Sequence, residues 1–297
     1  MVTFGVIICT FLHVQACTHH HQSLPTYRFG VSSIITLTTD FGTRDAYVGA
    51  VKGVILSINP DVRLVDISHD ISPQDVMEAA YVLRDAAFYF PTDSIHLIVV
   101  DPGVGTPRRP IAARSSGHLF VAPDNGLIPL ILDGKAPDES VVLDRPAYWR
   151  TPEPSTTFHG RDIFAPVSAH LSRGVDLSDL GSPAGELAPM HWALPITDEE
   201  GIQGWVAHID RFGNCITNVP RELLESARRG RSVQCFAGTA ILSGIATTYA
   251  AVEPGEPLMH FNSSELLEIA VNGGNASELL GIRKGTPINI LFRGTDS

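Results

Sequence analysis

The stretch "HLIVVDPGVGTPRRP" (His96 to Pro110) sets an apolar run, an aspartate, two glycines around a valine and two arginines side by side. Glycines next to basic residues first suggest a phosphate cradle. A cradle of the Walker or dinucleotide kind needs its glycines to open a helix, whose first amides hold the phosphate. Here Gly105 is followed by Thr106, Pro107, two arginines and Pro110, then by a β-like run, so no such helix forms and the cradle is excluded. What remains is Asp101 at the C-terminal end of a buried strand, where open α/β sheets gather ligand sites. The glycine turn can swing Arg108 or Arg109 back to it. Taken alone, either pairing merely stabilises a loop.

Other residues offer chemistry beside a structural alternative. Asp40 ends a β-branched run just before Phe41-Gly42 and is read alone as a turn aspartate. His159 opens "HGRDIF" at a helix start, as a cap or as a proton-handling group. Asp210 and Asn214 in "IDRFGNCITN", and Ser263 in "FNSS", lie in turn-forming contexts. Asp124-Asn125 in "APDNG" reads as a turn before a helix and stays outside the candidate site. The cysteines (Cys9, Cys17, Cys215, Cys235) show neither a C-x-x-C pair nor metal-ligand spacing, so no disulfide framework is expected.

These residues must be positioned by an α/β layer. "IITLTTD", "VRLVDIS" and "SIHLIVVD" are strands, the last apolar enough to be central. Between them, "DAYVGAVKGVILSINP" is a helix with Asp45 as cap, and "SPQDVMEAAYVLRDAAFYFP" a helix with Ser72 as cap. The alternation predicts a mostly parallel sheet. "PIAARSS" and "HLFVAPDNG" follow as strands joined around Gly117. Then come a short helix in "GLIPLILDG", a strand in "ESVVLDR" and a helix in "HGRDIFAPVSAHLSRG". The Pro- and Gly-rich stretch after Gly174 marks a boundary. Beyond it, short β-like runs from "GWVAHID" to "PINILF" predict a smaller C-terminal β-barrel. The expected division is a leader and spacer over 1–30, an N-terminal α/β domain over 31–185, a linker over 186–200 and the barrel over 201–297.

Composition bounds the function. Of 297 residues, 44% are hydrophobic and 18% charged, enough for buried cores. The formal charge of -11 and the absence of a basic run repel a polyanion, so nucleic acid is not an expected partner, whereas a small cation is compatible. "MVTFGVIICTFLHVQAC" has the apolar segment and cysteine of a lipoprotein-type export signal without its positive n-region. The competing reading, a start codon upstream of a cytoplasmic enzyme, fits the rest of the chain better. The histidines of "THHHQ" are incidental, and no later run reaches the ~20 apolar residues of a membrane span.

In order, "TTDFGTRDAYVG", "VVDPGVGTPRR", "VAPDNGL", "TFHGRDIFAPVSAHL", "IDRFGNCITN" and "NSSELLEIAVNGGNA" resemble the S-adenosylmethionine (SAM) hydroxide adenosyltransferase family, the SAM hydrolases, relatives of fluorinating and chlorinating adenosyl enzymes. The resemblance runs from Ile34 to the C-terminus. It implies a homotrimer with sites between the N-domain of one subunit and the C-domain of its neighbour. The implied reaction is SAM plus water to adenosine and methionine, with no cofactor and no metal. It implies Asp101, Arg108 and His159 as the catalytic group, with His159 as the working choice of base. For substrate it implies Asp40 on the ribose hydroxyls, Asp210 on the methionine ammonium, Asn214 on the adenine edge and Ser263 on the methionine carboxylate, with Phe158 and Phe212 as further substrate-binding residues.

That chemistry is an in-line displacement by water at C5′, where the leaving thioether is already good and the nucleophile is weak. A buried carboxylate at Asp101 opposes a halide by several kcal/mol, estimated as roughly that even in a moderately polar pocket, so halogenation is disfavoured. A SAM or adenosine sensor would need Asp40, Asp210 and Asn214 but would have no use for Asp101, Arg108 and His159.

Overall fold

The protein is described from a computed structural model over residues 33–190 and 194–294. The expected leader and spacer, with Cys9, Cys17 and the three histidines, lie outside the described residues, as do residues 191–193 of the expected linker.

Strands β1 (Ile34–Thr39), β2 (Arg63–Ser68) and β3 (Ile95–Val99) alternate with helices α1 (Tyr47–Ile58) and α2 (Val76–Ala87). They are followed by β4 (Pro110–Ser115), β5 (His118–Pro123), α3 (Leu127–Ile131), β6 (Glu139–Val142), a π-helical turn (Gly160–Phe164), α4 (Ala165–Ser172) and β7 (Ser182–Pro183). The sheet order is β2-β1-β3-β5-β4-β6-β7. The pairs β2–β1, β1–β3 and β3–β5 are parallel, and β4, β6 and β7 add antiparallel neighbours. Ser116 and Gly117 both take positive φ, 51° and 78°, and so form a two-residue hairpin link that permits only antiparallel pairing. The strand–helix alternation stops after β3 because residues 100–109 lead to β4 without a helix, and this turn then returns the chain as β5.

Every residue of β3 is buried, because both faces of the sheet are covered. Ile98, Phe120 and Leu83 pack with α2 and α3 on one face; Leu97, Ile55 and Phe164 pack with α1 and α4 on the other. The caps differ from expectation. Helix α1 begins after Ala46 without a side-chain cap, so Asp45 caps nothing. In α2 the cap is Asp75, which accepts from Glu78 N at 3.0 Å. Gln74 takes φ 65°, a left-handed turn that no helix starting at Ser72 could contain.

The second sheet is antiparallel. Strands β8 (Ile196–Thr197), β9 (Gly201–Ile209), β10 (Cys215–Pro220), β11 (Ser232–Ala237), β12 (Ala240–Ser243), β13 (Pro257–Phe261), β14 (Leu266–Val271) and β15 (Pro287–Arg293) run with α5 (Arg221–Arg228) and α6 (Ala276–Leu280) between them. The order is β12-β11-β15-β9-β10-β14-β13, with β8 on β9. Just past β12, Ala246 N donates to Met259 O of β13 at 2.8 Å, so the two edges approach and the sheet nearly closes into a barrel. Lys284, from the β14–β15 connection, reaches back to Asp75 and to Glu78 (2.9 Å) at the start of α2.

Candidate functional site

Asp40 and Asp101 emerge from the same edge of the first sheet, because Thr39 and Val99 are register partners on adjacent parallel strands. The glycine loop after β3 then decides which arginine turns inward. Gly105 takes φ +76°, and a Cβ on it would lie 2.5 Å from Thr156 O. Only a glycine lets the 101–108 loop settle against the segment leading to His159.

Arg108 is the arginine brought back. Its Nε donates to Asp101 Oδ1 at 2.8 Å and its Nη2 to Asp101 Oδ2, a bidentate pair with both side chains under a tenth exposed. The same Nη2 donates to His159 Nδ1 at 2.9 Å. Arg109 turns the other way, donating to Asp124 at 2.8 Å and to Ala184 O at 2.6 Å, while Asp124 also accepts from Ala188 N. That cluster ties the segment after β7 to the sheet. Arg108 Nη1 is buried and finds no acceptor among the described residues.

His159 enters the π-helical turn, a form that recurs at functional sites. Gly160 permits the approach, since a Cβ there would meet Val99 Cγ1 at 3.1 Å. The turn is fastened by Asp162, which is fully buried. Burial pushes the Asp162 carboxyl up, but hydrogen bonds from Arg161, Arg150 and the Ser155 amide outweigh it and hold the group below the usual carboxylate range. At His159, burial and then the Arg108 guanidinium lower the imidazole below its ordinary value, and Asp101 and Asp162 only partly oppose them. The ring is therefore neutral near pH 7. With Nδ1 accepting from Arg108, its proton sits on Nε2.

The other substrate candidates of this half lie close by. Gln74 N donates to Asp40 Oδ2 at 2.8 Å. Phe158 packs edge-on against Phe41 (5.7 Å between centroids) and Tyr47 (5.4 Å).

The C-terminal candidates form a second group. Asp210, Phe212, Asn214 and Ser263 line one cavity of about 470 Å³, together with Tyr249 and Glu268. Asp210 Oδ1 accepts from Phe212 N and Asn214 N, each at 2.9 Å, and Oδ2 accepts from Asn214 Nδ2 at 3.0 Å. Gly213, at φ +86°, lets this turn close onto Asn275 at the start of α6. Phe212 is 77% exposed. None of Asp40, Asp101, Arg108, Phe158 or His159 lines that cavity, so one chain builds two separate groups. Tyr249, His260 and Glu268 escaped the sequence reading. The available signal was a glutamate inside the apolar run "LLEIAV" and a histidine inside "PLMHF". Among the described residues, no group of three or more His, Cys, Asp or Glu side chains could hold a metal ion.

Residues 35–181 match the domain model of the SAM hydroxide adenosyltransferase N-terminal domain, and residues 204–289 that of its C-terminal domain. The chain belongs to the SAM hydroxide adenosyltransferase family. Within it, the chain is 37% identical over 263 residues to the (R)-S-adenosyl-L-methionine hydrolase of Salinispora tropica, covering 86% of this chain and 97% of that one. It is 39% identical over 265 residues to the same-named enzyme of Thermus thermophilus, covering 85% and 97%. A fluorinase of Actinoplanes sp. is more distant, 28% identical over 292 residues. A conserved protein of Thermotoga maritima superimposes with a TM-score of 0.78 at 37% identity, covering 87% of this chain and 99% of that one.

Proposed function

We propose that this family member is a SAM hydrolase that forms adenosine and L-methionine by attack of water or hydroxide at C5′. The observation that carries the reading is the hydrogen-bonded assembly of Asp101, Arg108 and His159. In the step, the oxygen bonds to C5′, the C5′–S bond breaks, its electron pair returns to sulfur, and methionine leaves as a neutral thioether while the proton passes to solvent. Because Nδ1 of His159 is engaged by Arg108, the ring serves the nucleophile as an Nε2 donor. The unpaired Nη1 of Arg108 supplies a second, cationic donor, and Asp101 fixes the guanidinium. Donors of this kind favour a hydroxide-like oxygen. The step calls for no metal or cofactor, since the sulfonium itself activates the carbon.

Substrate is held by Asp40 and Phe158 on one side and by Asp210, Phe212, Asn214 and Ser263 on the other. The separation of these groups within one chain, and the exposure of Phe212, support a homotrimer in which neighbouring subunits complete each site. No described helix is long and apolar enough to cross a membrane. A cytoplasmic location is proposed because that is where SAM is made.

The test is incubation of purified protein with SAM in oxygen-18 water. Label in the adenosine 5′-hydroxyl supports the reading. Binding without adenosine release would indicate a sensor, and a 5′-halo product with halide present would indicate a halogenase. Either result overturns it. EDTA leaves the rate unchanged if the metal-free step is correct.

A further inference from the structure

Glu268 is the one charged residue in β14, a strand otherwise apolar and buried along its whole length, and the step proposed above does not use it. At 3% exposure it must have partners. Its Oε1 accepts from Tyr249 Oη at 2.7 Å and from His260 Nε2 at 3.1 Å. The Tyr249 and His260 rings meet edge to face at 4.5 Å between centroids.

Register explains the placement. His260 pairs with Glu268, Glu268 with Ile216, and Ile216 with His208, a cross-strand row over β13, β14, β10 and β9. All four residues line the cavity that holds Asp210 and Asn214, and among the described residues no lysine or arginine does.

A phenol has a single proton. At Tyr249 it is given to Glu268, and burial, with Glu268 next, keeps the phenol protonated. A freely rotating hydroxyl could meet a donor or an acceptor on the ligand. This one is pinned and presents only lone pairs.

Resting on the hydrolase reading, we infer that Tyr249 is a specificity-determining residue that accepts a hydrogen bond from an amino group of the substrate, with Glu268 and His260 as its positioning residues. SAM carries two amino groups, on the adenine and on the α-carbon. Replacing the bound one by an oxo group turns a donor into an acceptor and leaves two acceptors facing each other.

The experiment titrates adenosine against inosine, and methionine against 4-methylthio-2-oxobutanoate, into the full-length protein by calorimetry. Hydrolysis of SAM is measured separately. The wild type should prefer the amino member of each pair, through Asp210 or Asn214, and the pair whose preference depends on Tyr249 identifies the amino group it binds. Tyr249→Phe, which removes only the hydroxyl, should lower that one preference by about tenfold and leave the other unchanged, as should Glu268→Met. Glu268→Gln should retain both, because the amide oxygen still accepts the phenol proton. Should Glu268→Met not fold, Tyr249→Phe and Glu268→Gln decide. Unchanged preferences in Tyr249→Phe, or none in a wild type that hydrolyses SAM, would overturn this inference alone. A wild type that neither hydrolyses SAM nor binds these ligands would overturn the hydrolase reading and this inference together.

Discussion

Arg108 Nη2 donates to His159 Nδ1 at 2.9 Å while the same guanidinium grips Asp101. Burial, with this cation next, thus holds the imidazole neutral, and the cation is itself fixed by a carboxylate. Replacing Arg108 by Gln should lower kcat by about 10²–10³-fold, the usual cost of losing a donor to a developing anion.

The same contact fixes a pH response. Burial and Arg108 lower the His159 pKa, so the neutral ring persists below its ordinary 6.5. Protonation fills Nδ1, which can then no longer accept from Arg108. Activity should therefore fall as pH drops through a value under 6.5. In Arg108→Met, Asp101 and Asp162 are left to pull the other way, and His159 should titrate at higher pH. Proton NMR of the ring reads this directly.

Gly105→Ala tests the loop. The left-handed φ costs an alanine roughly 1–2 kcal/mol, and its Cβ would also overlap Thr156 O. A lower Tm is expected, with kcat reduced by about tenfold or more as Arg108 moves off His159. Normal kinetics in a folded Gly105→Ala protein would show that the loop does not position Arg108.

Lys284 reaches the first turn of α2, where Asp75 caps the helix and the preceding Gln74 amide holds Asp40. Lys284→Met should cost about 1 kcal/mol of stability, since the ion pair is only partly buried. If it also loosens Asp40, KM for SAM rises several-fold, estimated as roughly threefold to tenfold, while kcat holds. Lys284→Arg should restore KM. Steady-state kinetics on the three proteins separates these outcomes.

A buried histidine pair in the first sheet should contribute to acid sensitivity. His96 Nδ1 meets Thr36 Oγ1 at 2.8 Å and its Nε2 meets His118 Nδ1 at 3.2 Å inside the first sheet. Burial, with His118 next, lowers His96 to about 3. The folded state thus refuses a proton that the unfolded chain accepts near 6.5. The stabilisation is complete above that pH and is lost as pH falls towards 3. Urea melts of wild type and His96→Gln across this range should converge as the pH drops.

The chemistry near the first sheet was legible because it sits where strands end. "IHLIVV" could only be a buried strand, so Asp101 had to lie at its mouth, and two prolines excluded the phosphate-binding helix. Choosing Arg108 over Arg109 was not legible from local spacing, because the choice depends on Thr156, fifty residues away in the chain. Helix α5 escaped because "RELLESAR" buries only Leu224. Glu268 and His260 escaped for a related reason. Each stood out as a polar residue in an apolar run, but their pairing lies in a register across strands that neither run shows. Asp45 and Ser72 were plausible caps by type, but the left-handed Gln74 shifts the second helix start to Asp75.

Consecutive side chains on an extended backbone face opposite ways, and Arg108 and Arg109 obey that rule at the entrance to β4. One turns to Asp101 and His159, and the next braces a segment more than seventy positions downstream. Lengthening or shortening the loop by one residue should exchange their partners, turning Arg109 towards Asp101 and Arg108 towards Asp124. Apart from Asp101, Gly105 and Arg108 themselves, the span should therefore tolerate changes of letter more readily than changes of count.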